Sequence, residues 1–128
     1  MILDTHAWLF YFMRKPLSKT ALRKMQGGSS AIAAVTLWEV ALLIQGNRLR
    51  IDGSIKDWLN DAIERTGVRV APLDPDIAQE AARLTSILRD PVDCQIVGTA
   101  LCRSAPLLTR DQRILDASKG LGLKVIKA

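Results

Sequence analysis

Met1-Ile-Leu-Asp-Thr-His-Ala-Trp-Leu-Phe10 opens the chain, and its first four residues decide the fold. A short run that is apolar at every position before Asp4 suits the middle of a parallel sheet covered on both faces, where polar alternation is not required. The exit residue of such a strand faces the crevice beyond the carboxyl ends, where open α/β sheets bind their ligands. Asp4 is therefore a candidate functional carboxylate. A second reading stands beside it with equal weight, in which Asp4 only caps the helix that follows.

Working outward, the spacing predicts a helix over 5–13, broken by Arg14-Lys15-Pro16, and a second one capped by Ser18 and closed by Gly27-Gly28. Residues 29–35 are small and β-branched and read as a second strand. Thr36-Leu-Trp-Glu39 has capping-box spacing and opens a helix through Ile44. Ser54-Ile-Lys-Asp57 starts another through Glu64, with Trp58, Leu59 and Ile63 facing in, and Val68 to Ala71 makes a third strand. Asp74-Pro75 and Asp90-Pro91 are paired N-cap and N1 signals for helices over 76–88 and through Arg103. Leu107-Leu108 is a brief fourth strand, Thr109-Arg-Asp-Gln112 starts a short helix, and Leu123 to Ile126 is the last strand. Strands alternating with helices predict a three-layer α/β/α sandwich around a mainly parallel five-stranded sheet, since parallel strands need crossovers.

Composition sets the bounds. At 128 residues, with 48% hydrophobic and 24% charged, the chain reads as one globular domain over 1–128 that needs no disulfide or structural metal. Its longest apolar stretch, residues 7–13, is too short to span a bilayer, and no basic segment precedes it as in a signal peptide. A cytoplasmic protein without membrane contact is expected. Cys94 and Cys102, eight apart on one predicted helix, read as packing thiols, and neither has zinc spacing with the lone His6. The net charge of +5 favours a polyanionic partner.

Against that basic background the acids are few, 13 in all, and several should meet. Asp4 leaves the first strand, Glu39 follows the second and Asp111 follows the fourth. Asp93, with Asp90 beside it, sits in the first turn of the helix leading into the fourth strand. All five fall at the carboxyl edge of the sheet. Carboxylates so close raise one another's pKa and oppose folding unless a cation joins them. Mg²⁺ or Mn²⁺, which take oxygen ligands and keep exchangeable waters, suit such a pocket, and a basic surface around it suits a metal nuclease. Taken singly, Glu39, Asp90 and Asp93 also fit helix-start roles. Thr5 and Thr109 read as caps in preference to water-orienting hydroxyls, Trp38 and Trp58 as core before stacking platforms, and Arg110 and Arg113 as solvated charges.

Ile2-Leu-Asp-Thr-His-Ala-Trp8, Ala34-Val-Thr-Leu-Trp-Glu-Val40, Arg89-Asp-Pro-Val-Asp93 and Leu107-Leu-Thr-Arg-Asp111 resemble, in order and over essentially the whole chain, the successive motifs of PIN-domain ribonucleases. The likeness is greatest to the VapC-type toxins of toxin–antitoxin pairs. It implies Mg²⁺- or Mn²⁺-dependent endonucleolytic cleavage of RNA, and a homodimer neutralised by a VapB-type antitoxin that itself binds DNA, so that any DNA contact is indirect. Asp4, Glu39, Asp93 and Asp111 would be the catalytic, metal-binding carboxylates, with Asp90, Thr109 and Thr5 accessory. Leu88 and Cys94 depart from the pattern, in which His and Arg are common, and this bears on substrate handling beside Asp93.

Two other readings compete. A phosphohydrolase using Asp4 as nucleophile, in the manner of haloacid dehalogenase-like enzymes, wants a second Asp where this chain has His6. A catalytically idle RNA-binding module would keep the fold without needing the full acidic set.

Overall fold

A computed structural model describes all of residues 1–128. Five strands form one sheet: β1 (Ile2–Leu3), β2 (Ala31–Ala33), β3 (Arg69–Ala71), β4 (Leu107–Thr109) and β5 (Val125–Lys127). Their order is β3-β2-β1-β4-β5, and every pairing is parallel, so the sheet is wholly parallel rather than mainly so. Seven helices complete the chain: α1 (Thr5–Phe12), α2 (Lys19–Gly27), α3 (Ala34–Gln45), α4 (Ile55–Thr66), α5 (Pro75–Leu88), α6 (Pro91–Cys102) and α7 (Gln112–Leu121). None is long and apolar enough to cross a membrane.

The two-residue β1 shows why the sheet is covered on both sides. Successive strand side chains point to opposite faces, so Ile2 and Leu107 enter one apolar cluster while Leu3 and Leu108 enter the other. The first cluster is closed by Leu84 and Leu88 of α5, Ile96 and Val97 of α6 and Ile114 of α7. Trp8 of α1, Ala21 of α2, Val40 of α3 and Ala62 of α4 close the second. Trp8, Leu3 and Leu84 have no exposed surface, and burial of such side chains stabilises by about 1.5–3 kcal/mol each.

Most predicted helix starts hold. Ser18, Ser54, Asp74 and Asp90 each cap the helix expected, accepting from a backbone N–H two or three residues on. Two starts move. The chain turns from β2 directly into α3 at Ala34, with Ala33 as an N-cap lacking any side-chain bond. Thr36 is fully buried inside the first turn and Glu39 lies in the second, so no capping box forms. Likewise Thr109 is the last residue of β4, and Asp111 caps α7 by accepting from the Arg113 N–H. In both places the strand–helix junction is set by sheet pairing, which overrides the local capping signal. Trp38 is 58% exposed instead of core, and Cys102 is exposed, whereas Cys94 is buried as a packing thiol. Trp58 is half-buried and meets the Phe12 ring edge-on at 5.1 Å.

The tightest helix contact is between α5 and α6, at Gly98. A Cβ placed there would lie 3.2 Å from the Ala81 backbone nitrogen and 3.4 Å from its Cα. Gly98→Val should therefore force the two helices apart and cost about 1–3 kcal/mol. A urea titration checks this: the midpoint should fall with the slope unchanged, and a wild-type midpoint would mean the helices are not held by this contact.

Candidate acidic cleft

From β1 the sheet grows in opposite directions, towards β2 and β3 on one side and β4 and β5 on the other. Such a reversal leaves a crevice at the carboxyl ends of the two central strands. Here it is a cleft of about 350 Å³ between the exits of β1 and β4.

Asp4 forms its floor. It is 7% exposed, and both carboxylate oxygens are engaged: Oδ1 accepts the Ala7 N–H at 2.7 Å and Oδ2 accepts the Thr109 hydroxyl. Burial raises its pKa above the ordinary value, while the bonds from Thr109 and Ala7 and the nearby His6 pull it back. The same Thr109 oxygen accepts the Asp111 N–H at 3.0 Å, so one hydroxyl ties the exit of β1 to the turn after β4. Thr5, also buried, donates to the Thr36 hydroxyl at 3.3 Å and so joins the start of α1 to α3.

The walls carry the other acids. Glu39 of α3, Asp90 and Asp93 at the start of α6, and Asp111 before α7 all line the same cleft as Asp4. Asp90 Oδ1 accepts the Val92 N–H at 2.8 Å and the Asp93 N–H at 3.4 Å. Asp93 is pushed up to about 6 by burial first, then by Asp90 and Asp111, with Glu39 adding a little and Arg113 opposing. Asp111 moves the other way. Burial alone would raise it, but hydrogen bonds from the Arg113 side chain and backbone hold it below the ordinary value.

Sequence reasoning does not single out Arg113 as part of the site. Its Nη2 lies 3.3 Å from Asp93 Oδ2 and 3.1 Å from Asp111 Oδ2. A signal for it exists, since an arginine two residues after a strand-exit aspartate must share its lip of the cleft. Arg110 and Phe10 also reach the cleft. Arg110 donates to the Ala128 and Pro16 carbonyls at 3.0 and 2.5 Å, and its guanidinium lies 4.8 Å from the Phe10 ring centre. Both arginines are exposed to solvent as expected, though each also holds protein partners. Leu88 and Cys94, by contrast, are buried in the core cluster beneath α5 and α6.

Five carboxylates dominate the donor set, with His6 the one imidazole lining the cleft and no cysteine, which fits Mg²⁺ or Mn²⁺ better than zinc. No three acidic, histidine or cysteine groups stand at the spacing of a ready-made metal cage. An ion that takes one or two carboxylates directly and keeps several waters does not require one. Burial first, and then Asp90 and Asp111, raise the Asp93 carboxyl against the pull of Arg113, and a cation among these acids would favour its charged form.

A wholly parallel sheet that gathers five carboxylates at its point of reversal defines an acid-cleft α/β domain of the PIN type. The chain belongs to the PIN domain family, whose model matches residues 1–120. It is 29% identical over 118 residues to Ribonuclease VapC22 of Mycobacterium tuberculosis, covering 89% of this chain and 88% of that one. Among solved structures it is similar to VapBC-5 from M. tuberculosis, with TM-score 0.67 and 20% identity over 99% of this chain and 97% of that one. VapBC2 from Rickettsia felis, bound to a promoter DNA fragment, matches with TM-score 0.69 and 15% identity over 98% and 96% of the two chains. FitAcB from Neisseria gonorrhoeae matches with TM-score 0.64 and 23% identity over 98% and 96%.

The pKa of Asp93 makes ion-free stability depend on pH. Its folded-state value, about 6, exceeds the ordinary 3.8, so the folded protein holds the proton more tightly. The stability this contributes is present below about 3.8 and lost as pH rises through about 6. In EDTA, the melting temperature should fall across that window, and Asp93→Asn should flatten the fall and leave the protein more stable at neutral pH. An unchanged profile in the variant would show that Asp93 titrates normally.

Proposed function

We propose that the chain is a divalent-metal-dependent endoribonuclease that serves as the toxin of a toxin–antitoxin pair. The observation that carries this reading is the meeting of Asp4, Glu39, Asp93 and Asp111, with Asp90 beside them, in one cleft of a chain whose net charge is +5. PIN-domain ribonucleases generally depend on divalent metal, and the relative at 29% identity is named a ribonuclease. VapBC-5 is described as a member of a toxin–antitoxin family, which supports a VapB-type antitoxin as partner. The R. felis neighbour is a VapBC2 complex bound to DNA from its promoter, which supports DNA contact by way of a toxin–antitoxin complex. A homodimer completes the reading.

In this mechanism Asp4, Glu39, Asp93 and Asp111 would hold Mg²⁺ or Mn²⁺. The bound ion would supply Lewis acidity toward a phosphate oxygen and a water acidified for attack. Thr109 fixes the rotamer of Asp4 and the position of Asp111 together, because its one hydroxyl bonds to both. Thr5 and Thr36 fix the start of α1 against α3, which carries Glu39. Asp90 fixes the first turn of α6 and so aims Asp93. The RNA backbone would lie across the cleft mouth beside Arg110. An Asp4 nucleophile is disfavoured, because the second aspartate that haloacid dehalogenase-like enzymes place two residues on is His6 here.

Asp4→Asn and Asp93→Asn should each lower RNA cleavage at least a hundredfold, of the order found when a transition-state contact is removed, while circular dichroism stays native-like and urea melts show no loss of stability. Wild-type cleavage by either variant would remove that residue from the site. Mn²⁺ should also raise the wild-type melting temperature by mass action. Cleavage that survives EDTA, together with no thermal shift at millimolar Mn²⁺, would rule out the metal mechanism; RNA binding without any cleavage would leave the idle binding module.

Co-expression with the adjacent reading frame tests the partner. A stable complex with suppressed cleavage is expected, and no complex would remove the antitoxin from the reading.

A further inference from the structure

We propose that Arg113 is a displaceable counterion: it bridges Asp93 and Asp111 while the cleft lacks a divalent ion, and swings to the rim to take the RNA backbone when one enters. The inference rests on the metal-nuclease reading above and names a residue that reading does not use.

Three observations carry it. The first is placement. One guanidinium nitrogen sits 3.3 Å from Asp93 and 3.1 Å from Asp111, and Nε is 3.4 Å from Asp111 Oδ1. Arg113 thus stands against two of the carboxylates assigned to the ion. The second is unequal burial: the Arg113 side chain is 67% exposed, whereas those of Asp93 and Asp111 are 16% and 27% exposed. The carboxylates are built into the cleft wall, and the arginine reaches them from solvent. The third is the absence of any other tether. Every hydrogen bond of the Arg113 side chain goes to these two acids, at distances near the long end of the normal range. Arg110, three residues earlier, is instead fixed to two backbone carbonyls.

Exposed ion pairs of this kind are weak and easily exchanged. A hard divalent ion on the same carboxylates would repel the guanidinium and replace its only partners. From the second residue of α7 the freed side chain remains at the cleft mouth, where its planar fork suits a phosphate. The arginine that quiets the acids without an ion would then hold the substrate with one.

The test uses the full chain. By calorimetry, Arg113→Ala should bind Mn²⁺ several-fold more tightly than wild type, because the competing cation is gone. With saturating Mn²⁺ and a cleavage-resistant phosphorothioate RNA oligonucleotide, anisotropy should show about tenfold weaker binding for Arg113→Ala than for wild type, and a salt slope shallower by about 0.7. Arg113→Lys should recover the slope, since it keeps the charge. The nitrogen-15 signals of the Arg113 guanidinium should shift on Mg²⁺ addition and sharpen as the side chain is freed, a change a purely structural residue would not show. If wild type binds Mn²⁺ and Arg113→Ala binds it no more tightly, or if RNA affinity and slope are unaltered, the displaceable role is overturned. If neither protein takes up Mn²⁺, it is the metal reading of the cleft that fails.

Discussion

The Thr109 hydroxyl joins the two halves of the site, and much of the cleft depends on it. It donates to Asp4 at the exit of β1 and accepts from the backbone of Asp111 after β4. These strands are neighbours only because the sheet reverses its direction of growth there. A parallel pair brings equivalent residues side by side, so the exits of β1 and β4 fall level, and the Asp4 N–H still donates to the Leu108 carbonyl at 3.0 Å.

Clustering carboxylates at one edge of a sheet costs stability, and the architecture offsets part of that cost. Helices that follow parallel strands, and helices that lead back into them, begin or lie near that edge. Asp4, Asp90 and Asp111 are all N-caps, and Asp93 lies in the first turn of α6. A cap stabilises by about 1 kcal/mol, and an acid in the first turn by about 0.3–1 kcal/mol through the helix dipole. The capping role and the ligand role, which compete when each residue is read alone, are therefore complementary. Glu39, in the second turn of α3, has no such support.

This double use explains what is legible in the sequence. The five strands, their largely parallel pairing and the meeting of Asp4, Glu39, Asp90, Asp93 and Asp111 follow from apolar runs, strand exits and helix starts, which are strong local signals, whereas the strand order does not. The starts of α3 and α7 fall elsewhere than expected because Thr36 and Thr109 carry capping spacing but are buried at strand–helix junctions. Only pairing across the sheet decides such positions. Trp38 shows the same limit: its helical spacing fits a core face, yet α3 turns it outward. Local pattern fixes periodicity and leaves rotation about the helix axis to tertiary packing.

The cations are the least legible part, because an arginine's reach lets its partner lie on any nearby segment. Arg110 and Arg113 flank Asp111 in the same turn but end in opposite environments. Arg110 spans to Pro16 and Ala128, packs on Phe10 and so braces the rim. Arg113 turns inward to the acids. Beneath α5 and α6, Leu88 and Cys94 are committed to the core, so the side chains that approach Asp93 from the protein are Arg113 and the neighbouring acids. With no cation anywhere on its own helix, Asp93 owes its compensation to a single exposed arginine. Burial, with Asp90 and Asp111 beside it, outweighs that one exposed arginine and keeps Asp93 near 6, whereas Asp111, bonded to the same side chain and to the Arg113 backbone N–H, falls below its ordinary value.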